Sequence, residues 1–429
     1  MRIRIDTALV AILLACICSR TALAANWEWG SDLSVAANWN DNPALADDSR
    51  DPAATFRVVA AYNGQIERLS SGSSWVFSPR VTRDFYPDKE FKDLESTDLF
   101  LPGSYRKLGS RTNLGLAFNL SRQNVLSDEQ TISDTGANQL NADDIVYRAS
   151  LSPSFSWVVT EKDQVSFALT ANITDYDLEF SNRADSKAAG INGSYSRTLT
   201  QRQSLGFSAS ANKFASDNKR LFALGIPPAL VPVEINNESS QESLTLDYGF
   251  SINATSKLGV SYGFQSSSTD NEITELATGL PIPIGSTTEF KSSTYNISYK
   301  KTTERGEFNV VASRRIVPST NGQPQDRYDI GFRGKTQLSK KLNGEWNLSA
   351  FEQQNIVLSA TDGELNRKTR YYNADFRLIW AFDRKWRING TYRIRHRDRD
   401  SVINSEDSIT ATSNQVLVGI TYRWKTIQK

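Results

Sequence analysis

From Gln415 to Lys425 the chain alternates: Val416, Val418, Ile420, Tyr422 and Trp424 fall on one side, and Leu417, Gly419, Thr421 and Arg423 on the other. A two-residue period belongs to a strand, and apolar against mostly polar suits one with lipid on one face and water on the other. The same pattern recurs upstream. Tyr372, Ala374, Phe376, Leu378 and Trp380 alternate with Asn373, Asp375 and Arg377. After Phe382-Asp383-Arg384-Lys385, Trp386, Ile388, Gly390, Tyr392 and Ile394 alternate with Arg387, Asn389, Thr391, Arg393 and Arg395. Two amphipathic strands joined by a tight polar turn predict a hairpin. Tyr147 to Trp157 and Val165 to Ile173 repeat the construction around Thr160-Glu161-Lys162-Asp163, and Leu244 to Ile252 and Leu258 to Phe264 repeat it around Thr255-Ser256-Lys257.

Further short turns are expected near Ser70, Leu108, Gln201, Glu304 and Lys340, which makes eight. The other connections are longer and polar: 41–52, 88–92, 125–143, 179–186, 217–241, 272–287, 317–326, 360–368 and 399–409. Short turns at one end and long loops at the other are the asymmetry of outer-membrane barrels, with the turns periplasmic. The pattern predicts an all-β fold: a transmembrane antiparallel up-and-down β-barrel of about 18 strands, with both termini periplasmic, in a Gram-negative outer membrane. Sixteen strands are the fallback, because Leu33–Trp39 and Leu99–Tyr105 alternate least clearly. A soluble sandwich or propeller also has period two. It would not place Ser204, Gly206, Ser208, Ser210 and Asn212 opposite Leu205, Phe207, Ala209 and Ala211, because its inner face has to be apolar.

The first 24 residues read as a secretory signal: Met1-Arg2-Ile3-Arg4, an apolar run from Ala8 to Cys18, and Ala22-Leu23-Ala24 for cleavage. Lipoprotein processing at Cys16 is the rival, disfavoured by bulky Leu14. Both cysteines of the sequence, Cys16 and Cys18, lie in that signal, so residues 25–429 carry no disulfide or thiolate metal site. Removing residues 1–24, with three arginines and one aspartate, takes the formal charge from +1 to −1, which gives no argument for a nucleic-acid partner. Length alone would suggest two or three soluble domains. With no linker or composition break, residues 25–429 are expected to form one barrel domain.

Amphipathic aromatic rings favour membrane interfaces. Trp75, Trp157, Trp346, Trp380, Trp386 and Trp424 each lie near a short turn or the C-terminus and predict a girdle at the periplasmic boundary. On the water-facing register, Arg333, Lys335, Arg377, Arg387, Arg393, Arg395, Arg397 and Arg423 predict a basic strip on one lumenal wall, suited to anions. The competing reading pairs them with Asp329, Asp375 or loop acids, or sets the outermost against lipopolysaccharide. The stretch around Leu221, Phe222, Ile226, Pro227, Pro228 and Leu230 is apolar for an exposed connection, a candidate constriction or docking loop. Leu280-Pro281-Ile282-Pro283-Ile284 in the next loop is a candidate to pack with it. His396, the only histidine, falls on the lipid-facing register near the outer end of its strand, which reads as a rim residue. No metal-ligand spacing, phosphate loop or catalytic pair is evident, so neither enzyme chemistry nor a cofactor is expected.

Three turn regions share a phrase of an aromatic, a basic residue, a polar turn and a fresh strand. They are Tyr105-Arg106-Lys107-Leu108-Gly109-Ser110-Arg111-Thr112-Asn113-Leu114, Tyr195-Ser196-Arg197-Thr198-Leu199-Thr200-Gln201-Arg202-Gln203-Ser204-Leu205, and Tyr299-Lys300-Lys301-Thr302-Thr303-Glu304-Arg305. With Asn38-Trp39-Asn40-Asp41-Asn42 ending the first strand, the chain resembles β-barrel proteins associated with exopolysaccharide and PEP-CTERM (exosortase-type) gene systems. It departs from many barrels by continuing past Trp424 with Lys425-Thr426-Ile427-Gln428-Lys429. The resemblance implies a channel or export component for polar or anionic material in surface assembly, without active-site residues. A general diffusion porin and a non-conducting docking barrel stay open. Expected partners are outer-membrane lipid, lipopolysaccharide, the barrel-assembly machinery, and polysaccharide or secretion components.

Overall fold

The structure is a computed structural model that describes residues 26–43, 45, 54–124, 145–177, 185–224, 229–275, 281–282, 287–318, 324–355, 368–400, 408–424 and 427–428. The segment read as a signal, residues 1–24, lies outside the described residues. All twenty-one strand segments belong to one sheet. Ser73–Phe77 and Arg80–Phe85 are halves of one strand, because both pair with the strand before them and with the strand after. The break falls at Ser78 and Pro79, where Pro79 has no N–H to donate to a ladder. Two segments, Pro281–Ile282 and Ile427–Gln428, are two-residue additions to the edges of longer strands.

Eighteen staves remain. They are β1 (Asn26–Asn40), β2 (Thr55–Ser70), β3 (the two halves above), β4 (Thr97–Leu108), β5 (Thr112–Asn124) and β6 (Ile145–Val158). Next come β7 (Asp163–Tyr176), β8 (Asp185–Thr200), β9 (Gln203–Leu224), β10 (Ala229–Asn253), β11 (Ser256–Glu275) and β12 (Thr287–Thr303). The last are β13 (Gly306–Pro318), β14 (Pro324–Gln337), β15 (Leu342–Asn355), β16 (Lys368–Trp380), β17 (Trp386–Asp400) and β18 (Ser408–Arg423). Each pairs antiparallel with its sequence neighbour, and β1 pairs with β18 from Asp32 opposite Arg423 to Asn40 opposite Gln415, closing the barrel. Leu33–Trp39 and Leu99–Tyr105, the weakest alternations, are both strands, so the count is eighteen rather than sixteen.

The apolar residues face outward. Phe264 is 62% exposed, Ile330 56%, Leu246 54% and Val418 54%, whereas the buried apolar residues among those described are few and include Val146, Val233, Ile316, Phe351 and Tyr371. A soluble sandwich or propeller would bury the first set. An apolar exterior around a polar lumen, in a sheet closed on itself, is the arrangement that crosses an outer membrane. The protein is an outer-membrane β-barrel. Aromatic packing uses small residues on this face: a Cβ on Gly334 would overlap the Trp346 ring.

One connection differs from expectation. The polarity of residues 217–241 predicts a loop, but Leu221, Phe222 and Leu230 lie in a continuing hairpin, with Leu221 opposite Pro232, Phe222 opposite Val231 and Ala223 opposite Leu230. Ile226, Pro227 and Pro228 lie outside the described residues. Above the bilayer a strand needs no apolar face, so alternation stops while the hydrogen-bond ladder continues. At about 3.3 Å per residue, the 22 and 25 residues of β9 and β10 far exceed an apolar band about 25 Å tall. Of the second apolar segment, Pro281 and Ile282 pair with Thr274 and Ile273.

Candidate functional site: the lumen and its charged wall

Alternation along each strand sends one register into the lumen, and the hairpin registers fix which side chains meet there. Gln337 opposite Asn343 and Leu342 opposite Trp380 bring Lys335, Glu345 and Arg377 into one row. Gln415, Arg393 and Asp375 form another. These rows line a cavity of about 1350 Å³ bounded by β1 to β5 and β12 to β18.

Six members of the predicted basic strip line this cavity: Arg333, Lys335, Arg377, Arg387, Arg393 and Arg423. Most have polar partners. Arg393 Nε donates to Asp375 and its Nη1 to Gln415 Oε1 at 3.2 Å. Lys335 Nζ lies 3.1 Å from Glu307, and Arg377 Nη1 lies 3.6 Å from Glu345. Arg333 Nε donates to Asn347 Oδ1 at 3.0 Å. Arg387 and Arg423, at the turn end, make no ion pair within 4.0 Å among the described residues. Asp32 stands opposite Arg423 across the seam, where its carboxylate accepts from Asn63 Nδ2 at 2.6 Å. Glu28 and Glu67, opposite each other on the same lumenal registers of β1 and β2, lie beyond it toward the turn end, so acids accompany Arg387 and Arg423 there. Arg395 and Arg397 continue the register toward the loop end, opposite Asn373 and Tyr371. Arg397 is 7% exposed, so it forms part of a packed layer rather than an open surface.

That layer fills the outer part of the charged wall. Phe351 and Tyr371 stack with centroids 4.6 Å apart, and the Arg327 guanidinium lies 3.9 Å from the centre of the Phe351 ring. Asp329 accepts from Arg327 at 2.7 Å and from Arg315 at 3.2 Å. Asp375 thus pairs with a strip residue, in line with the competing reading, and Asp329 serves two arginines outside the strip. Glu307 and Glu345 carry no distinguishing signal in the sequence. Both become visible once the turns fix the register, because each falls beside a strip cation.

The facing wall is chemically different. Ser194, Ser196, Ser204, Ser208, Ser210 and Asn192 share the lumenal register of β8 and β9, alternating with exposed Ile191, Phe207 and Leu205. Ser210 and Ser243 hydroxyls are 2.7 Å apart, and Ser208 donates to Asp247 at 3.4 Å. Among the described residues, none of β6 to β11 lines the cavity.

At the turn end, the connections carry eight cations, Arg111, Lys162, Arg202, Arg305, Lys340, Lys341, Arg384 and Lys385, against three acids, Glu161, Glu304 and Asp383. With Arg387 and Arg423 against Asp32, Glu28 and Glu67 in the lumen, the positive excess of this end comes from its turns. The six tryptophans of the expected girdle lie on outward registers near the same end. Trp75 packs on Tyr105 at 4.5 Å, Trp386 on Tyr422 at 4.8 Å, and Tyr422 on Trp424 at 5.2 Å. Trp157 and Trp380 are exposed, and Trp346 stacks against Phe332. Trp27 and Trp29 join them from the first strand, with Arg68 over the Trp27 ring. His396 is on the outward register near the loop end, its Nδ1 3.0 Å from Thr412 Oγ1. The Asn38 to Asn42 phrase closes the seam: Gln415 Nε2 donates to Asn38 Oδ1 at 3.0 Å, Ser413 Oγ to Asn40 Oδ1 at 2.9 Å, and Asn42 Nδ2 to the Thr412 carbonyl at 3.0 Å.

No family model matches the chain, and no curated protein matches it. Similar solved structures include the ferric-catecholate import receptor Fiu from E. coli K12 in its open form (10% identity, 92% of this chain and 81% of that chain, TM-score 0.47). OpdQ from Pseudomonas aeruginosa matches at 9% identity over 94% and 98% of the two chains, with a TM-score of 0.43. OccAB1 from Acinetobacter baumannii matches at 8% identity over 93% and 97%, with a TM-score of 0.45. At such identities these likenesses assign no cargo.

Proposed function

We propose that the barrel passes polar, negatively charged material across the outer membrane, entering from the turn end, which we assign to the periplasm. The observation that carries this reading is the surplus positive charge at the turn end, where Arg387 and Arg423 stand in the lumen beneath a ring of mostly basic turns. Fixed charges in a narrow, partly dehydrated lumen raise the local concentration of the opposite ion. The hydroxyl- and amide-rich opposite wall offers a neutral hydrogen-bonding track, which suits a hydrated chain such as a polysaccharide. Association with exopolysaccharide or exosortase-type surface systems rests on the turn phrases and the Asn38–Asn42 segment. The outward tryptophans are proposed as its periplasmic girdle, and lipopolysaccharide and the assembly machinery as its surroundings.

Planar-bilayer recording of the purified barrel tests this directly. The expected result is a conductance with a reversal potential displaced toward the anion in a salt gradient. A cation-selective channel would sink the anionic reading. The buried outer layer of Phe351, Tyr371 and Arg397 favours a second reading, a non-conducting barrel that serves as a docking element. Absence of any conductance supports it over passage. Exopolysaccharide-synthesis genes beside this one would support the proposed system, and their absence would count against it.

A further inference from the structure

The barrel wall splits between β12 and β13. Their ladder runs from Thr303 opposite Gly306 to Tyr295 opposite Arg314 and stops there. Beyond it, among the described residues, Thr287 to Thr294 stay paired with β11 alone, and Arg315 to Pro318 stay paired with β14 alone. The fork is held at its base by Arg314, which binds Asp326 through Nε at 3.1 Å and Nη2 at 2.7 Å and donates to Ser293 Oγ at 3.4 Å.

Past the fork, β13 turns into the lumen. Ile316 belongs to the outward register with Phe308, Val310 and Arg314, yet it is 3% exposed and sits on the lumenal side chain of Gln265 in β11. The contact is two-pronged: the Ile316 N–H donates to Gln265 Oε1 at 3.2 Å, and Gln265 Nε2 donates to the Ile316 carbonyl at 2.9 Å. One side-chain amide has replaced the ladder partner that β12 would supply. On the same lumenal face of β10 and β11, the hydroxyls of Ser239, Ser267 and Thr269, residues each about 1% exposed, have no hydrogen-bond partner among the described residues. Buried hydroxyls without partners make a poor permanent interface, because solvating them is favourable. An open strand edge, meanwhile, is a ready template for another strand. Continuing the observed register would set Ser293 opposite Ile316 and Thr294 opposite Arg315, returning Ile316 to the outer face.

We propose that Arg315–Pro318 is a strap with two seats: inward on Gln265, narrowing the outer lumen, and outward on the β12 edge at Lys291–Thr294, widening it. The alternation concerns the wall itself and holds whatever the barrel passes; only its effect on conductance rests on the passage reading.

Paired cysteines test it in the full barrel, since the only native cysteines are Cys16 and Cys18. Gln265→Cys with Ile316→Cys reports the inward seat, and Ser293→Cys with Ile316→Cys the outward one, each cross-linked by mild oxidation in vesicles. Heat-modifiable migration on gels verifies folding. Both pairs are expected to cross-link, and the outward pair several-fold faster when Gln265→Ala removes the latch. Failure of the folded outward pair to cross-link even with Gln265→Ala would show a fixed constriction and overturn the strap, as would failure of the inward pair. In bilayers the inward lock is expected to conduct several-fold less than the outward lock. Equal conductances would overturn the narrowing. If no form conducts, cross-linking still decides for or against the strap, and the passage reading fails instead.

Discussion

The two walls of the lumen are built from one backbone grammar and opposite chemistry. β13 to β18 carry long charged side chains in rows of alternating sign, with the aromatic and arginine layer above them. β7 to β10 carry serine, threonine, asparagine and glycine, and Asp247 is the acid on their lumenal register that a serine, Ser208, reaches. Alternation alone does not set this difference, since both walls satisfy it. On the charged wall Arg393, Lys335 and Arg377 each depend on a carboxylate across the ladder, so charge and stability are coupled at those positions, Arg387 and Arg423 being exceptions. On the neutral wall half-buried hydroxyls such as Ser208 and Ser210 can exchange their partners for water, and these residues are close to independent.

The largest expected effect comes from reversing charge at the turn end of the lumen. Arg387→Glu with Arg423→Glu should move the reversal potential from the anion side toward the cation side, while Ser194→Ala with Ser208→Ala should leave it in place. Next, Phe351→Ala removes the ring stacked between Arg327 and Tyr371 and should destabilise the barrel by about 3 kcal/mol in urea unfolding from vesicles. Asp375→Asn leaves Arg393 without its carboxylate. A loss of about 1 kcal/mol is expected for this partly exposed pair, together with stronger anion preference. Ser208→Ala on the neutral wall should change stability by less than about 0.5 kcal/mol. A loss there as large as that of Asp375→Asn would erase the distinction between the walls.

Much of this is legible in the sequence because turns and alternation are local. Thr160-Glu161-Lys162-Asp163 forms its turn through Thr160 Oγ1 and Asp163, and Phe382-Asp383-Arg384-Lys385 joins two strands. Once the turns are placed, the lumenal side of Arg377 or Arg393 follows. What stays hidden depends on partners across the ladder or on departures from it. Glu345 reads as one acid among many until Lys335 and Arg377 are set on either side of it. The 217–241 stretch reads as a loop because its strands lose alternation above the bilayer. Ile316 would face outward on the register of Phe308 and Val310, and nothing local announces that β13 leaves β12.

The seam between β1 and β18 carries a consequence for how the barrel is made. Asn40 and Ser413, which hydrogen-bond across it, are 373 residues apart. Contacts so distant in sequence form late, after most chain entropy has been lost. Until then the nascent sheet has two exposed edges, each able to recruit the wrong strand. The asparagine clasp at Asn38, Asn40 and Asn42 therefore works as a completeness check: only a chain that has delivered its final strand can satisfy it, and a truncated copy remains an open sheet with two unpaired edges.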